Sequence, residues 1–244
     1  MALLQTKPQP PVFRAEYNDR NFRRRERIIE LTIFLFLIAP SMAFSFFLSS
    51  ADANVSFTLT AVSSILRDLA LVGLVIFFLW RNGEPLSLIG WDLRNAGTEF
   101  AVGLGLFIPF FVAIGLIQTL LQSLGLTVPQ STPQQLTISG ASQVLLAVAL
   151  VTVVAISEET IFRGYLIQRF SALMQNCWAA ILVSSLIFCL GHGYEGSAGV
   201  VTVFLVGAFF GWVYNWRKSL IAPMVMHFLL DFVSIVLLPF VASR

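Results

Sequence analysis

The sequence is poor in charge, in histidine and in cysteine. Only 11% of its 244 residues are charged, against about 25% in an average soluble domain. Hydrophobic residues make up 57% and the mean hydropathy is +0.83, which excludes a water-soluble globular protein. The formal net charge of +2 gives no reason to expect a nucleic-acid partner. The two cysteines, Cys177 and Cys189, form neither a CxxC pair nor a disulfide framework.

Long apolar segments make up most of the chain. Each is about 20 residues or more, enough to cross about 30 Å of hydrocarbon as a helix. Backbone polar groups must be satisfied inside lipid, which favours helices, and the alternation typical of a membrane barrel is absent. The sequence therefore predicts an all-α, polytopic bundle of about seven transmembrane helices, or eight if two segments have been merged. The segments lie near 28–48, 57–80, 100–125, 145–170, 177–197, 199–216 and 220–241.

The polar N-terminus differs from the rest of the chain. Residues 1–27 hold seven of the 15 basic residues and predict a basic cytoplasmic arm on an anionic membrane face, not a cleaved signal peptide. Basic residues then fall on alternate connections, so we expect an integral multi-pass protein, in the plasma membrane, with its N-terminus in the cytoplasm. The expected domains are the arm at 1–27, N-terminal transmembrane helices at 28–130 and a catalytic transmembrane core at 140–241.

Ionisable residues inside the apolar segments indicate a functional site, because they are costly to keep there. At 1.5 Å per residue, three helices can bring these groups to a similar depth. A common depth requires that segment four stays helical to about Phe170. A break of segment five at Gly191 and Gly193 would bring its ionisable residue closer to that depth. The residues are Glu158, Glu159 and Arg163 in segment four, His192 in segment five, and His227 and Asp231 in segment seven.

Spacing predicts how some of these side chains pair. Glu159 and Arg163, four residues apart, can form an ion pair on one helical face. His227 and Asp231 have the same spacing and should enter one site. Glu158 points about 100° away from Glu159 and is the carboxylate left free for chemistry as a general base.

Two further features have plainer interpretations. Arg67 and Asp68 in segment two are adjacent, which predicts that they do not face each other and that each has a structural or interhelical role. Gly207 and Gly211 form a GxxxG pattern, which is typical of close helix packing.

Several familiar intramembrane protease patterns are poorly supported. There is no HExxH pair of zinc ligands on one helix. Gly90-Trp91-Asp92 lacks the spacing of a GxGD aspartyl motif, and the run at 196–199 places its serine one position too early for the GxSG of a rhomboid-type site.

Three motifs at the ionisable positions nevertheless occur together and in order: EExxxR at 158–163, FxxxH at 188–192 and HxxxD at 227–231. By these motifs the chain resembles the CAAX prenyl protease and bacteriocin-processing (CPBP) family, also called the type II CAAX protease or ABI group. The resemblance implies an intramembrane endopeptidase with a conical cavity open to the cytosol. Its partners would be the bilayer and a membrane-associated or lipid-modified protein or peptide substrate.

The resemblance also implies roles for the six residues. Glu158 would activate water, and His192 would position that water or share its proton. His227 and Asp231 would stabilise the oxyanion, while Glu159 and Arg163 would shape the site. Asparagine is frequent in the family where Asp231 stands. An aspartate donates a hydrogen bond only when protonated, and otherwise it would orient His227.

Alternatives to metal-free hydrolysis remain open from the sequence. We expect no cofactor, but family members have also been called metalloproteases, and Glu158, His192, His227 and Asp231 could together bind zinc. The same fold could also serve a non-catalytic scaffold or a bacteriocin-immunity protein. A proton-coupled transporter is a third hypothesis, disfavoured because no inverted repeat is visible.

Overall fold

The structure, a computed structural model, describes residues 11–47, 56–128, 138 and 140–238, and the side chains of all of them except 11–23 and 141. These residues contain helices and no strand, so the predicted all-α class is confirmed. They divide into two compact units, 1–39 and 40–244, of which the second contains the predicted site. The first ten residues of the predicted arm, and Arg244, lie outside the described residues.

Eight α-helices, two π-helical segments and two 3-10 turns follow one another along the described chain. The predicted continuation of segment four is confirmed, because one unbroken helical rod, α4, a π segment and α5, runs to Met174. The α-helices are α1 Pro11–Ser45, α2 Phe57–Arg81, α3 Ala96–Ser123, α4 Ala141–Glu158, α5 Ile167–Met174, α6 Cys177–Leu190, α7 Gly196–Arg217 and α8 Ile221–Asp231. The π segments are Glu159–Leu166 and Phe232–Leu237, and the 3-10 turns are Leu86–Ile89 and Gly193–Glu195.

Five helical rods in the described ranges are long and apolar enough to cross a membrane: 24–45, 57–81, 96–123, 142–174 and 193–217. Two apolar helices, Cys177–Leu190 and Ile221–Leu237, are shorter. The chain is thus an integral membrane protein by its helices, while seven or eight crossings stay a prediction. Residues 11–27, expected to belong to the arm, are helical and continue into the first rod.

Segment five differs from the expected span at 177–197. Its helix α6 ends at Leu190, and α7 begins again at Gly196. Gly191 and His192 lie between them, with His192 outside the helical conformation at φ −113° and ψ 26°. The two glycines beside His192 signalled this break, since glycine disfavours a helix interior.

Within unit 40–244, α2 packs on α4, α3 on α7 and α8, and α6 on α5 and α7. One core cluster joins Phe57 and Ala61 of α2 to Ala147 and Leu150 of α4. The GxxxG prediction is confirmed, because a Cβ added at Gly211 would lie 2.8 Å from Ile181 of α6. A second cluster joins α3, α7 and α8 through Phe110, Val206, Phe210 and Met226.

Candidate active site

The site is built around the junction of α4 and the first π segment. Glu158 is the last residue of α4 and Glu159 the first of the π segment. A π-helix has a wider turn than an α-helix and is frequent at functional sites. Glu159 and Arg163 are both buried, whereas 15% of the Glu158 side chain is exposed. The Glu159 carboxylate is therefore enclosed, whereas the Glu158 side chain is partly exposed.

Glu159 joins two helical rods. Its Oε1 lies 2.9 Å from Nη1 of Arg163, which confirms the predicted pair. The same oxygen accepts a hydrogen bond of 2.7 Å from Nδ1 of His227 on α8. The guanidinium of Arg163 also stacks on aromatic rings, 4.3 Å from the centroid of Phe188 and 5.4 Å from that of Phe210. Glu159 thus holds both a guanidinium and an imidazole, and the contact with His227 was not predicted.

His227 presents its second nitrogen to two carboxylates. Nε2 lies 3.7 Å from Oε2 of Glu158 and 3.5 Å from Oδ2 of Asp231. These separations exceed a direct hydrogen bond. The side chains of Glu158 and Asp231 are partly exposed, by 15% and 24%. Oε2 of Glu158 is itself buried and makes no hydrogen bond to any described group. Nε2 of His227 and the two carboxylates therefore come together without direct hydrogen bonds between them.

His192 and His227 both lie near Phe188. The ring centroid of His192 is 4.8 Å from that of Phe188, and the ring centroid of His227 is 6.2 Å from it. Nδ1 of His192 lies 3.1 Å from the carbonyl oxygen of Phe188. When this nitrogen donates to the carbonyl, Nε2 of the neutral ring is left as an acceptor. The structure therefore brings the two predicted histidines next to one phenyl ring.

The chain break that carries His192 is held by the end of α1. Oγ of Ser45 donates to the carbonyl of Leu190 at 2.8 Å and accepts from the backbone N–H of Gly193 at 3.1 Å. A Cβ at Gly193 would lie 2.5 Å from the ring of Phe46, so a side chain there would displace that ring. Sequence reasoning missed Ser45, since nothing local marks a serine that acts 145 residues away.

Arg67 and Asp68 correct one expectation. The two side chains do face each other, with Nε of Arg67 2.9 Å from Oδ1 of Asp68. The long arginine side chain bends back across the 100° that separate adjacent positions. The helix α2 that carries them packs on α4, and Glu158 is close enough for its charge to act on both residues.

The described side chains do not fit the alternative zinc site. No group of three or more His, Cys, Asp or Glu side chains within the described ranges is placed to hold a metal ion. Nδ1 of His227 contacts Glu159, and Nδ1 of His192 faces the carbonyl oxygen of Phe188. The four proposed ligands, Glu158, His192, His227 and Asp231, thus do not form a tetrahedral donor set.

Comparison with known families agrees with this geometry. Residues 140–233 match the family described as type II CAAX prenyl endopeptidase Rce1-like. The recognition made from the three motifs is thereby confirmed. The match covers less than half of the chain but includes all six predicted site residues, and it implies a protease-type membrane enzyme. No curated protein and no solved structure matches the chain.

Proposed function

We propose that the protein is an intramembrane endopeptidase that hydrolyses a peptide bond of a membrane-associated or lipid-modified protein or peptide. The observation that carries the proposal is the Glu158 carboxylate, whose Oε2 has no hydrogen-bond partner among the described groups and lies 3.7 Å from Nε2 of His227. A base must reach the proton of water while a donor reaches the carbonyl oxygen of the substrate, within one enclosed space. The Rce1-like match over 140–233 supports the same reaction class.

In the proposed reaction, Glu158 accepts a proton from water as the water oxygen attacks the carbonyl carbon. The negative charge that develops on the carbonyl oxygen is stabilised by Nε2–H of His227. As an imidazolium, His227 also donates from Nδ1 to Glu159, which fixes the position of the ring. The carbon–nitrogen bond then breaks, and Glu158 returns its proton to the leaving amine. His192 positions the water through the ring nitrogen that does not face the carbonyl of Phe188.

Asp231 orients His227 in this scheme. Its Oδ2 lies 3.5 Å from Nε2 of His227. An ionised aspartate cannot donate to an oxyanion, so His227 supplies the donor and Asp231 helps to hold it. Arg163, enclosed by aromatic rings, fixes Glu159 in turn.

The test is peptide hydrolysis by the purified protein in proteoliposomes. Glu158→Gln removes the base but keeps the shape, and we expect a loss on the order of 10²- to 10⁴-fold in kcat. Glu99→Gln is the matched control, because Glu99 is also a buried glutamate but lies at the start of α3, where it pairs with Arg217. A Glu158→Gln protein that is fully active would overturn the proposal. Full activity in a chelator is also expected.

Substrates would be found by comparing protein termini in membranes from cells that contain the wild-type or the Glu158→Gln protein. Fragments present only with the wild type identify the cleaved bonds. If neither protein changes any terminus, and the cellular phenotype persists in both, a non-catalytic scaffold or immunity role replaces hydrolysis.

We further propose that the N-terminus lies in the cytoplasm and that the protein is in the plasma membrane. The support is the placement of Lys and Arg on alternate connections, from the N-terminal arm to Arg217 and Lys218. Reporter fusions at the N-terminus and after Arg94 should both report the cytoplasmic side. A reporter at 128 should report the opposite side.

A further inference from the structure

Helix α2 brings a charge pair to the level of the candidate active site from outside the family-matched region. Phe57 and Ala61, near the start of α2, pack with Ala147 and Leu150 of α4. Phe78, near its end, stacks on Tyr165 with ring centroids 6.2 Å apart. The two rods therefore run in the same direction. By this register Asp68, seven residues after Ala61, falls within about one helical turn of Glu158.

The pair has one buried and one exposed member. Only 3% of the Asp68 side chain is exposed, against 49% of Arg67. Asp68 holds Nε of Arg67 at 2.9 Å, which fixes the plane of the guanidinium. Neither Nη group of Arg67 makes a hydrogen bond, and no ion pair joins Arg67 to Glu158, among the groups that the structure describes. Arg67 is thus a preorientated cation with unused donors.

Arg67 is expected to face water and not lipid. A guanidinium that faces hydrocarbon in mid-membrane costs several kcal/mol, so such residues normally line a wet cavity. Thr60, Ser63 and Ser64 lie on the same face of α2, at the helical spacing of three, four and seven residues from Thr60 to Arg67. The hydroxyl of Ser63 donates to the backbone carbonyl of Thr60. Arg67 thus ends a line of polar residues along one face of α2.

We infer that Arg67 is a specificity-determining residue that binds a carboxylate of the peptide substrate. A guanidinium presents paired donors that match the two oxygens of a carboxylate. The carboxylate is either the C-terminal one or an Asp or Glu side chain close to the cleaved bond, and its capture places the peptide across Glu158. This inference rests on the proposed peptidase function. Asp68 is a positioning residue that acts through Arg67.

The experiment uses one peptide sequence in three forms. The first has a free C-terminal carboxylate, the second a C-terminal amide, and the third an amide with one Glu beside the cleaved bond. For the wild type we expect KM to be at least tenfold lower for a carboxylate form than for the neutral amide. The first form distinguishes the C-terminal source, and the third the side-chain source.

Variants assign any preference to Arg67. Arg67→Gln should raise KM for the preferred form about tenfold, with a smaller change in kcat, and Arg67→Lys should keep part of the preference. Asp68→Asn should weaken it through loss of the anchor at Nε. Arg94→Gln is the matched control, because Arg94 forms a similar pair with Asp92 outside the spans, and it should keep the wild-type preference.

Outcomes separate this inference from the proposed function. A wild type without preference, or an Arg67→Gln protein with the wild-type preference, overturns the inference even when hydrolysis is confirmed. If the wild type hydrolyses none of the peptides, binding of fluorescent forms of the same peptides is measured instead. The inference about Arg67 is then supported, without the proposed peptidase function, if the wild type binds the carboxylate forms more tightly. Arg67→Lys should keep part of this preference and Arg67→Gln should lose it. If Arg67→Gln does not purify as a folded protein, an unchanged preference in Arg67→Lys and Asp68→Asn counts against it.

Discussion

The cluster around Glu159 and the ion pairs at the ends of the helices use the same residue types in different surroundings. At the ends, Arg169 pairs with Glu84 and Arg217 with Glu99, each through two hydrogen bonds. In the centre, one oxygen of Glu159 serves two partners, and its second oxygen has no hydrogen bond to a described group.

This difference shows two uses of buried charge. A two-bond pair at a helix end satisfies both oxygens of the carboxylate and serves to hold elements together. The central cluster leaves oxygens of Glu158 and Glu159 unsatisfied among the described groups, which is unfavourable for folding unless another molecule enters. We therefore expect substitutions in the centre and at the ends to differ in both stability and hydrolysis.

The largest effect is expected from Glu159→Gln. This change leaves the buried Arg163 without its ionised partner and alters the contact with His227. Breaking a buried ion pair on one side costs about 3–5 kcal/mol. The melting temperature in detergent should fall sharply, and hydrolysis should be lost. Equal melting of Glu159→Gln and wild type would mean that the central cluster does not stabilise the fold.

Gly164→Ala tests the packing that supports this centre. A Cβ at Gly164 would lie 2.8 Å from the backbone oxygen of Ile89, in the connection between α2 and α3. In the same connection, Nε1 of Trp91 donates a hydrogen bond of 3.1 Å to Oγ1 of Thr160 in the π segment. Overpacking of this kind costs about 1–3 kcal/mol. Gly105→Ala is the control, since nothing lies within 4 Å of its added Cβ, and it should stabilise α3 by about 0.5–1 kcal/mol. Thermal unfolding of both variants gives the comparison.

Glu99→Gln breaks a pair at a helix end. Its partner Arg217 is partly exposed, so solvent can replace the lost bonds. The melting temperature should fall less than for Glu159→Gln, and peptide hydrolysis should continue. Complete loss of hydrolysis would show that the start of α3 is coupled to the site and would remove the contrast.

The smallest effect is expected at Asp92 and Arg94 in the connection between α2 and α3. Hydrogen bonds from Arg94 lower the pKa of Asp92 to about 2. Since the folded pKa lies below the unfolded one, the pair stabilises the protein above about pH 4 and loses this effect as pH falls towards 2. Arg94→Gln should return the pKa of Asp92 towards its ordinary value. A carboxyl NMR titration measures the change, and an unchanged pKa would contradict the pairing.

The sequence predicts the helical class and many residues of the candidate site because both follow from the free-energy cost of placing polar groups in lipid. Charged residues in apolar segments are expensive, so their presence marked Glu158, Glu159 and Arg163. Spacing predicted the pairing of Glu159 with Arg163, and glycines beside His192 indicated the break. Each of these signals is contained in a few neighbouring residues.

Other features could not be predicted because they depend on tertiary register. The π segment differs from an α-helix by less than one residue per turn, which eight residues of sequence do not reveal. The contact of Glu159 with His227 depends on how α8 packs, and that of Ser45 with Gly193 on where α1 ends. The pairing of Arg67 with Asp68 was not predicted, because periodicity alone ignores the reach of an arginine side chain.

The shortness of α6 has a consequence for the surrounding lipid. Its 14 residues span only about 21 Å, whereas the neighbouring rod 142–174 has 33 residues. A bilayer adapts to such hydrophobic mismatch by local thinning or by helix tilt. Acyl chains beside α6 should therefore be compressed, and a bilayer of long-chain lipids should strain this flank of the protein more than a bilayer of short-chain lipids.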